Sequence, residues 1–194
     1  MISMVLTQNI LKELLHYDPL TGVFTWLERD LKYFEKESDQ RSWNLRFSGK
    51  RAGSTSSLGY RIILIFKYPR KAHRLAFLYM IGRLPIDQTD HINHMRSDNR
   101  WLNLREATPQ ENMQNLSLSK SNTSGHIGVT QCKRSNKWLA MIGFNKKKVP
   151  LGYFVDIEDA IEVRKQAEMD YGFHENHGYD IIARRVELQI GEGE

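Results

Sequence analysis

One cysteine in 194 residues, Cys132, leaves no way to build an intramolecular disulfide or a zinc-thiolate cluster. A reducing compartment is the simplest home for such a chain, and Cys132 itself reads as a small packing residue. The first residues carry neither a basic leader nor a long apolar stretch. Apolar runs such as 62–66 fall far short of the roughly 20 residues that a membrane-spanning helix needs. The expectation is a soluble, cytoplasmic protein with no membrane partner. Internal repeats and sustained low-complexity tracts are missing too. Acidic residues are missing locally: between Leu116 and Val155 there is no Asp or Glu against seven Lys or Arg.

That local imbalance says more than the global one. A formal charge of +5 and a pI near 9.3 lean towards a polyanionic partner. Concentrating the positive charge in one short region makes a nucleic-acid surface the stronger reading. The length permits one large or two small domains with a real core. The Ser/Asn-rich stretch from Asn115 to Ser124 is the natural boundary, giving a first domain to residue 116, a linker over 117–123, a second domain over 124–173 and a tail beyond it.

The pattern predicts a helix over residues 8–16 capped by Thr7, a turn at Asp18-Pro19-Leu20-Thr21-Gly22 and a strand over 23–26. Residues 27–46 read as an elaborated loop. Tyr60 to Phe66 has the composition of a strand, with a hairpin-like partner. After Pro69 the spacing of Ala72, Leu75, Ala76, Tyr79 and Met80 is helical, ended by Gly82. His73 and Arg74 fall in the first turn of that helix as candidate DNA contacts, although for His73 a polar helix-start role stays open. Downstream, residues 127–131, 138–144 and 149–154 read as a three-stranded meander, followed by a helix from Asp156. The tail offers only a possible strand at 181–188.

The central stretch carries the chemistry. Asp90-His91 lies on an expected strand, a loop rich in Asn, Asp and Arg follows, and Thr108-Pro109-Gln110-Glu111 has the capping Thr, first-turn Pro and Glu of a helix start. Asn112 then sits on the first helical turn. Cleaving a phosphodiester needs an activated water and a cation against the charge developing on the phosphoryl oxygens. Asp90 and Asn112 can each offer a hard oxygen to a divalent ion, leaving room for water and phosphate, which suits Mg²⁺, or another such cation as Mn²⁺. His91 is the candidate general base. Asn103 suits a bracing role in the loop. Asn93, His94, Asp98 and Asn99 read as ordinary turn chemistry. His174-Glu175-Asn176-His177 lacks the spacing of a zinc-protease helix.

H-R-L at 73–75, D-H-I at 90–92, D-N-R at 98–100, N-L-R at 103–105 and T-P-Q-E-N at 108–112 resemble the HNH nucleases, particularly phage and intron-encoded homing types. Gly22 to Trp26 and G-K-R-A-G at 49–53 extend the likeness. The resemblance implies a ββα-metal fold with Asp90 and Asn112 on the ion, His91 as base and Asn103 pinning the loop. Asn112 stands where many relatives have His. Residues 124–171, through S-G-H-I-G-V at 124–129, K-W at 137–138 and L-G-Y-F at 151–154, are similar to the AP2/ERF DNA-binding domain. That likeness implies a sheet laid in the major groove of double-stranded DNA, with Lys133, Arg134, Lys137 and Trp138 near bases and phosphates and Lys146, Lys147 and Lys148 on phosphate. For Trp138 a core role stays open. The fold class expected is therefore α+β, an HNH domain followed by a three-stranded antiparallel sheet on one helix. The function expected is endonuclease, acting as a monomer, in a bacterial host cell if the gene is a phage's. The alternative is a non-catalytic DNA-binding protein with a decayed nuclease site.

Overall fold

The computed structural model describes residues 5–119 and 121–178. Among these residues the contacts define two units, the first of 5–91 with 95–106, the second of 92–94 with 107–119 and 121–178. The division falls before the Ser/Asn-rich stretch because residues 114–116 are tied to the end of the chain's described part. Gln114 donates its side-chain amide to the Tyr171 carbonyl at 3.0 Å and accepts from the His174 amide at 3.2 Å, and Gly178 donates to the Leu116 carbonyl at 2.8 Å. The strand expected at 181–188 lies outside the described residues.

The first unit opens with α1 (Gln8–Leu14), capped by the Thr7 hydroxyl. The helix stops two residues short of the expectation, and β1 (Leu15–Asp18) follows at once. There Leu15 and Tyr17 are buried while His16 is exposed, so the period has changed from helical to two. β1 forms a hairpin with β2 (Val23–Trp26), Leu15 opposite Trp26 and Asp18 opposite Val23. Its turn is held by Asp18, whose carboxylate accepts from the Leu20 amide and the Thr21 hydroxyl.

The expected loop over 27–46 instead contains α2 (Glu37–Phe47), a helix with no buried residue. No apolar stripe marks it in the sequence because it is held from one end. Trp43 packs edge-on to Trp26 at 5.4 Å, the Arg29 guanidinium lies 3.8 Å from the Trp43 ring centre, and Asn44 both donates to the Arg29 carbonyl and accepts from its amide.

β3 (Ser54–Thr55), β4 (Arg61–Ile65) and β5 (Tyr68–Lys71) make an antiparallel sheet with β4 central. Pro69, expected to precede a helix, is a strand residue here, on the edge strand where its missing N–H costs nothing. Phe66 and Lys67 both have positive φ, the two-residue turn whose twist suits a hairpin. α3 (Ala72–Ile81) then runs to Gly82 in the left-handed conformation. Its buried face, Leu75, Ala76 and Leu78, joins Leu11, Leu14, Leu15, Tyr17, Phe24, Ile63 and Ile65 in one core. β6 (Gln88–His91) and β7 (Leu104–Ala107) form a two-stranded sheet joined by the polar loop, which ends in a single 3-10 turn at Trp101–Asn103.

The second unit contains α4 (Pro109–Met113), then β8 (Val129–Cys132), β9 (Lys137–Phe144) and β10 (Lys147–Phe154), antiparallel with β9 central. α5 (Ile157–Asp170) covers one face through Ala160, against Val129 and Ala140. Asn145 and Lys146 alone make the β9–β10 turn, both at positive φ, so Lys147 and Lys148 belong to a strand rather than to a loop.

Candidate active site

β6 alternates so that its last two residues meet different neighbours. Asp90 meets Arg105 of β7, whose Nε and Nη2 both donate to Asp90 Oδ2 at 2.9 and 2.8 Å. The carboxylate side chain is 7% exposed and the guanidinium 31%, so a nearly buried charge is compensated by a partner that still touches water. His91 turns instead into a small aromatic nest. The His73 ring meets it at right angles with centroids 5.0 Å apart, and the Tyr60 ring lies 6.1 Å away. Its Nε2 faces Asn99 Oδ1 at 3.4 Å. Burial holds the His91 imidazole below its ordinary pKa, against the opposing pull of the Asn99 bond and of Asp90 and Asp98. An imidazole that stays neutral can accept a proton.

His73, expected in the first turn of a helix as a DNA contact, does begin α3 but is only 4% exposed. Burial first, then the His91, Lys71 and Arg74 charges, pushes its pKa down to about 3. Its Nδ1 is buried with no hydrogen-bond partner among the described residues. The ring supports His91 and Tyr60 rather than meeting solvent. Tyr60 is itself flanked by cations, the Lys71 ammonium 4.6 Å and the Arg96 guanidinium 5.1 Å from its ring centre. Arg74 is half-buried.

The loop between β6 and β7 is braced from within. Asn103 donates its side-chain amide to the Asp98 carbonyl at 2.9 Å, a tie across the loop. Asp98 in turn accepts from Arg100 Nε and Nη2 at 2.9 and 2.6 Å. Asn112 lies in α4, which belongs to the second unit, and its place in the first turn is set by the capping box. Thr108 Oγ1 accepts from the Glu111 amide at 3.2 Å, Glu111 Oε2 accepts from the Thr108 amide at 2.7 Å, and the Asn112 amide donates to the Thr108 carbonyl.

Residues 70–114 match an HNH endonuclease family model. The HNH segment holds Asp90, His91, Asn103 and Asn112 and supports an HNH nuclease domain; it covers under a quarter of the chain. Neither the curated proteins nor the solved structures offer a match.

Outside the HNH segment, Lys133, Arg134, Lys137, Lys146, Lys147 and Lys148 are exposed but do not share one place, while Arg164 of the same unit is buried. Lys133 and Arg134 occupy the β8–β9 turn and Lys146 the β9–β10 turn. Along β9, Ala140 and Ile142 are buried towards α5, and Trp138, in step with them, packs on the cluster of Val129, Ala140 and Ala160. Trp138 is therefore half-buried on the α5 side of the sheet and not on its open face. The opposite face carries Lys137, Lys148 and, by register, Thr130, Leu139, Met141 and Tyr153. Lys147 pairs with Phe144 and points the other way.

Sequence reasoning passed over three groups at the site. Asn99 looks like any turn Asn until the loop folds back on His91. Arg105 is separated from Asp90 by the whole loop, and only the β6–β7 pairing brings them together. Tyr60 precedes β4 with no local sign that it will cover His73.

Proposed function

We propose that the protein is a divalent-metal-dependent endonuclease that hydrolyses phosphodiester bonds of double-stranded DNA, with the sheet of the second unit binding the duplex. The observation that carries this reading is His91, held neutral and fixed by Asn99 beside the charge-compensated Asp90, inside the HNH segment.

The donor chemistry fits a hard cation. Asp90 brings a carboxylate and Asn112 an amide oxygen, both hard donors. Asp90 and Asn112 would hold the ion, which when bound supplies positive charge against the phosphoryl oxygens. His91 takes a proton from water, and the resulting hydroxide attacks phosphorus. The bond to the leaving oxygen breaks, and that alkoxide is protonated by solvent. Asn103 keeps the loop closed, and Arg105 holds the Asp90 carboxylate in one orientation.

Two basic surfaces suit a polyanion. In the first unit, Lys67, Arg70 and Lys71 are exposed on the β4–β5 hairpin. In the second, Lys137 and Lys148 share the open face of the sheet with Tyr153, and Lys133, Arg134 and Lys146 crown its turns. These exposed cations support the AP2-like reading, with Tyr153 rather than Trp138 as the aromatic residue on the open face. One site per chain makes nicking by a monomer the expected outcome, and the homing-type character rests on the motif likeness.

The decisive experiment incubates supercoiled plasmid with wild type and His91→Ala in Mg²⁺ or Mn²⁺. Relaxation by wild type, slowed about 10²–10⁴-fold by the substitution with DNA affinity retained, supports the reading. Wild type that binds DNA but leaves it intact in every divalent ion would instead favour a non-catalytic DNA-binding protein.

A further inference from the structure

β9 is the middle strand of the second unit's sheet, and successive side chains along it point to opposite faces. Trp138, Ala140 and Ile142 turn towards α5, which leaves Lys137, Leu139, Met141 and Gly143 on the open face. The register extends that face across the other two strands. Thr130 and Tyr153 stand abreast of Leu139, Pro150 beside Met141, Cys132 beside Lys137 and Lys148 beside Gly143. The middle of the face is mainly apolar, and each end carries a lysine.

An antiparallel sheet with one face in water ordinarily alternates apolar-in with polar-out. Here Leu139 and Met141 are half-buried and Tyr153 is 57% exposed, while the core beneath α5 takes Trp138, Leu151 and Phe154 from the same two strands. Gly143 is a second sign. It lies within β9, its φ is not positive, and a Cβ built on it would meet no atom within 4 Å. Neither the backbone conformation nor packing among the described residues calls for glycine there, and a strand glycine weakens its sheet. Such a residue suits a place where a ligand comes close to the strand.

Charge says what the ligand is. No Asp or Glu falls between Leu116 and Val155, and Lys133, Arg134 and Lys146 crown the turns around the face. Lys148 pairs with Gly143, six residues along β9 from Lys137, which sets the two lysines about 20 Å apart at ~3.4 Å per residue. Their long side chains can then meet phosphates on both walls of a major groove about 12 Å wide, with the middle of the face turned to the base edges. Leu139 and Met141 have no strong donor or acceptor with which to read those edges, and the apolar group that the groove presents is the C5-methyl of thymine. We propose that the open face of this sheet recognises the 5-methyl groups of pyrimidines in the major groove, with Leu139 and Met141 as the selecting contacts. The proposal rests on the reading of the sheet as the DNA-binding surface, and it directs the nuclease to thymine-rich or 5-methylcytosine-bearing duplex.

The test removes the methyl groups and nothing else. Fluorescence anisotropy of the full chain, with EDTA present to prevent cleavage, compares duplexes of one mixed A/T sequence carrying either thymine or uracil. A second pair, of mixed G/C sequence, carries either cytosine or 5-methylcytosine. Uracil is expected to weaken wild-type binding about 4-fold for each methyl in contact, roughly 10–50-fold for two or three. Tighter binding of the 5-methylcytosine duplex supports recognition of the methyl in either base, and a preference confined to thymine supports it for thymine alone. Leu139→Gln with Met141→Gln keeps both lysines, so it should bind the thymine and uracil duplexes alike with the wild-type salt slope. Gly143→Val should raise the urea midpoint of unfolding and weaken binding to all four duplexes. Equal wild-type affinity for thymine and uracil overturns the proposal, as does a thymine preference that survives the double substitution. Loss of self-association in the double variant with that preference unchanged makes the face a contact between copies and overturns it too. Cys132, the one cysteine of the chain, lies on this face and separates the two readings. If saturating duplex leaves its alkylation by iodoacetamide unchanged, the sheet is not the DNA surface; protection with equal thymine and uracil affinities refutes methyl recognition alone.

Discussion

The Asp90–Arg105 pair makes the sharpest energetic prediction. Removing one member of a buried pair costs about 3–5 kcal/mol, because the other is left charged and uncompensated. Here the two removals are unequal. Arg105→Gln strands a carboxylate that is 7% exposed, whereas Asp90→Asn strands a guanidinium that is 31% exposed and can turn towards water. Solvent screening of Arg105 lowers the first cost to about 2–3 kcal/mol and the second to about 1 kcal/mol or less. The double substitution should then cost less than the two singles together, leaving a coupling of about 1–2 kcal/mol.

Urea unfolding followed by tryptophan fluorescence reads this out. Trp26, Trp43 and Trp101 lie in the first unit, and Trp138→Phe as a common background removes the signal of the second. The Arg105→Gln midpoint should fall by about 1–2 M. Saturating Mg²⁺ should recover part of that loss, since a cation at Asp90 supplies the missing charge. Additive single and double substitutions, or equal losses from Arg105→Gln and Asp90→Asn, would refute the account of a carboxylate that depends on Arg105.

Four further outcomes follow from the same geometry. His73 has a folded pKa of about 3 against about 6.5 unfolded; both states are neutral above ~6.5, and below it the unfolded chain gains a proton that the folded one refuses, so stability falls by about 1.4 kcal/mol per pH unit. His73→Phe should therefore flatten the loss of the first unit's urea midpoint between pH ~7 and ~5, worth about 2 kcal/mol, and an unchanged slope would contradict the assignment. Neutralising Lys137 and Lys148 should weaken DNA binding and reduce the slope of log affinity against log salt by up to about 1.8, while Lys147→Gln alone should do less, as fluorescence anisotropy across a salt series will show. Trp138→Ala should act on folding, lowering the second unit's stability by about 2–4 kcal/mol by denaturation, and any loss of DNA binding should track unfolding. Lys67→Gly, at a turn position with positive φ, should raise the first unit's stability by about 0.5–1 kcal/mol in the same urea assay.

Features that depend on neighbours along the chain can be read from the residues alone. The capping box at Thr108 and Glu111 places Asn112 on the first turn of α4, and Gly82 ends α3, because such signals act over three or four residues. The alternation of β9 and the apolar stripe of α5 made the sheet-and-helix unit legible for the same reason. Asp90, His91 and Asn103 are candidates by residue type and spacing, and all three lie within the HNH segment.

Which side chains face one another depends on packing between distant parts of the chain. α2 carries no apolar stripe, since it is held through Trp43 near its end by Trp26 and Arg29, which lie outside its length. Trp138 and Lys137 are adjacent in sequence, and the sheet sends them to opposite faces, one into the core and one to the surface. His73 is polar and was expected at the DNA, yet the packing of Tyr60 and His91 over α3 buries it. Arg105 reaches Asp90 only through the pairing of β6 with β7, and Asn99 reaches His91 only because the polar loop folds back on β6. Such contacts depend on positions in space that no local pattern encodes, and they orient the carboxylate and the imidazole on which the chemistry depends.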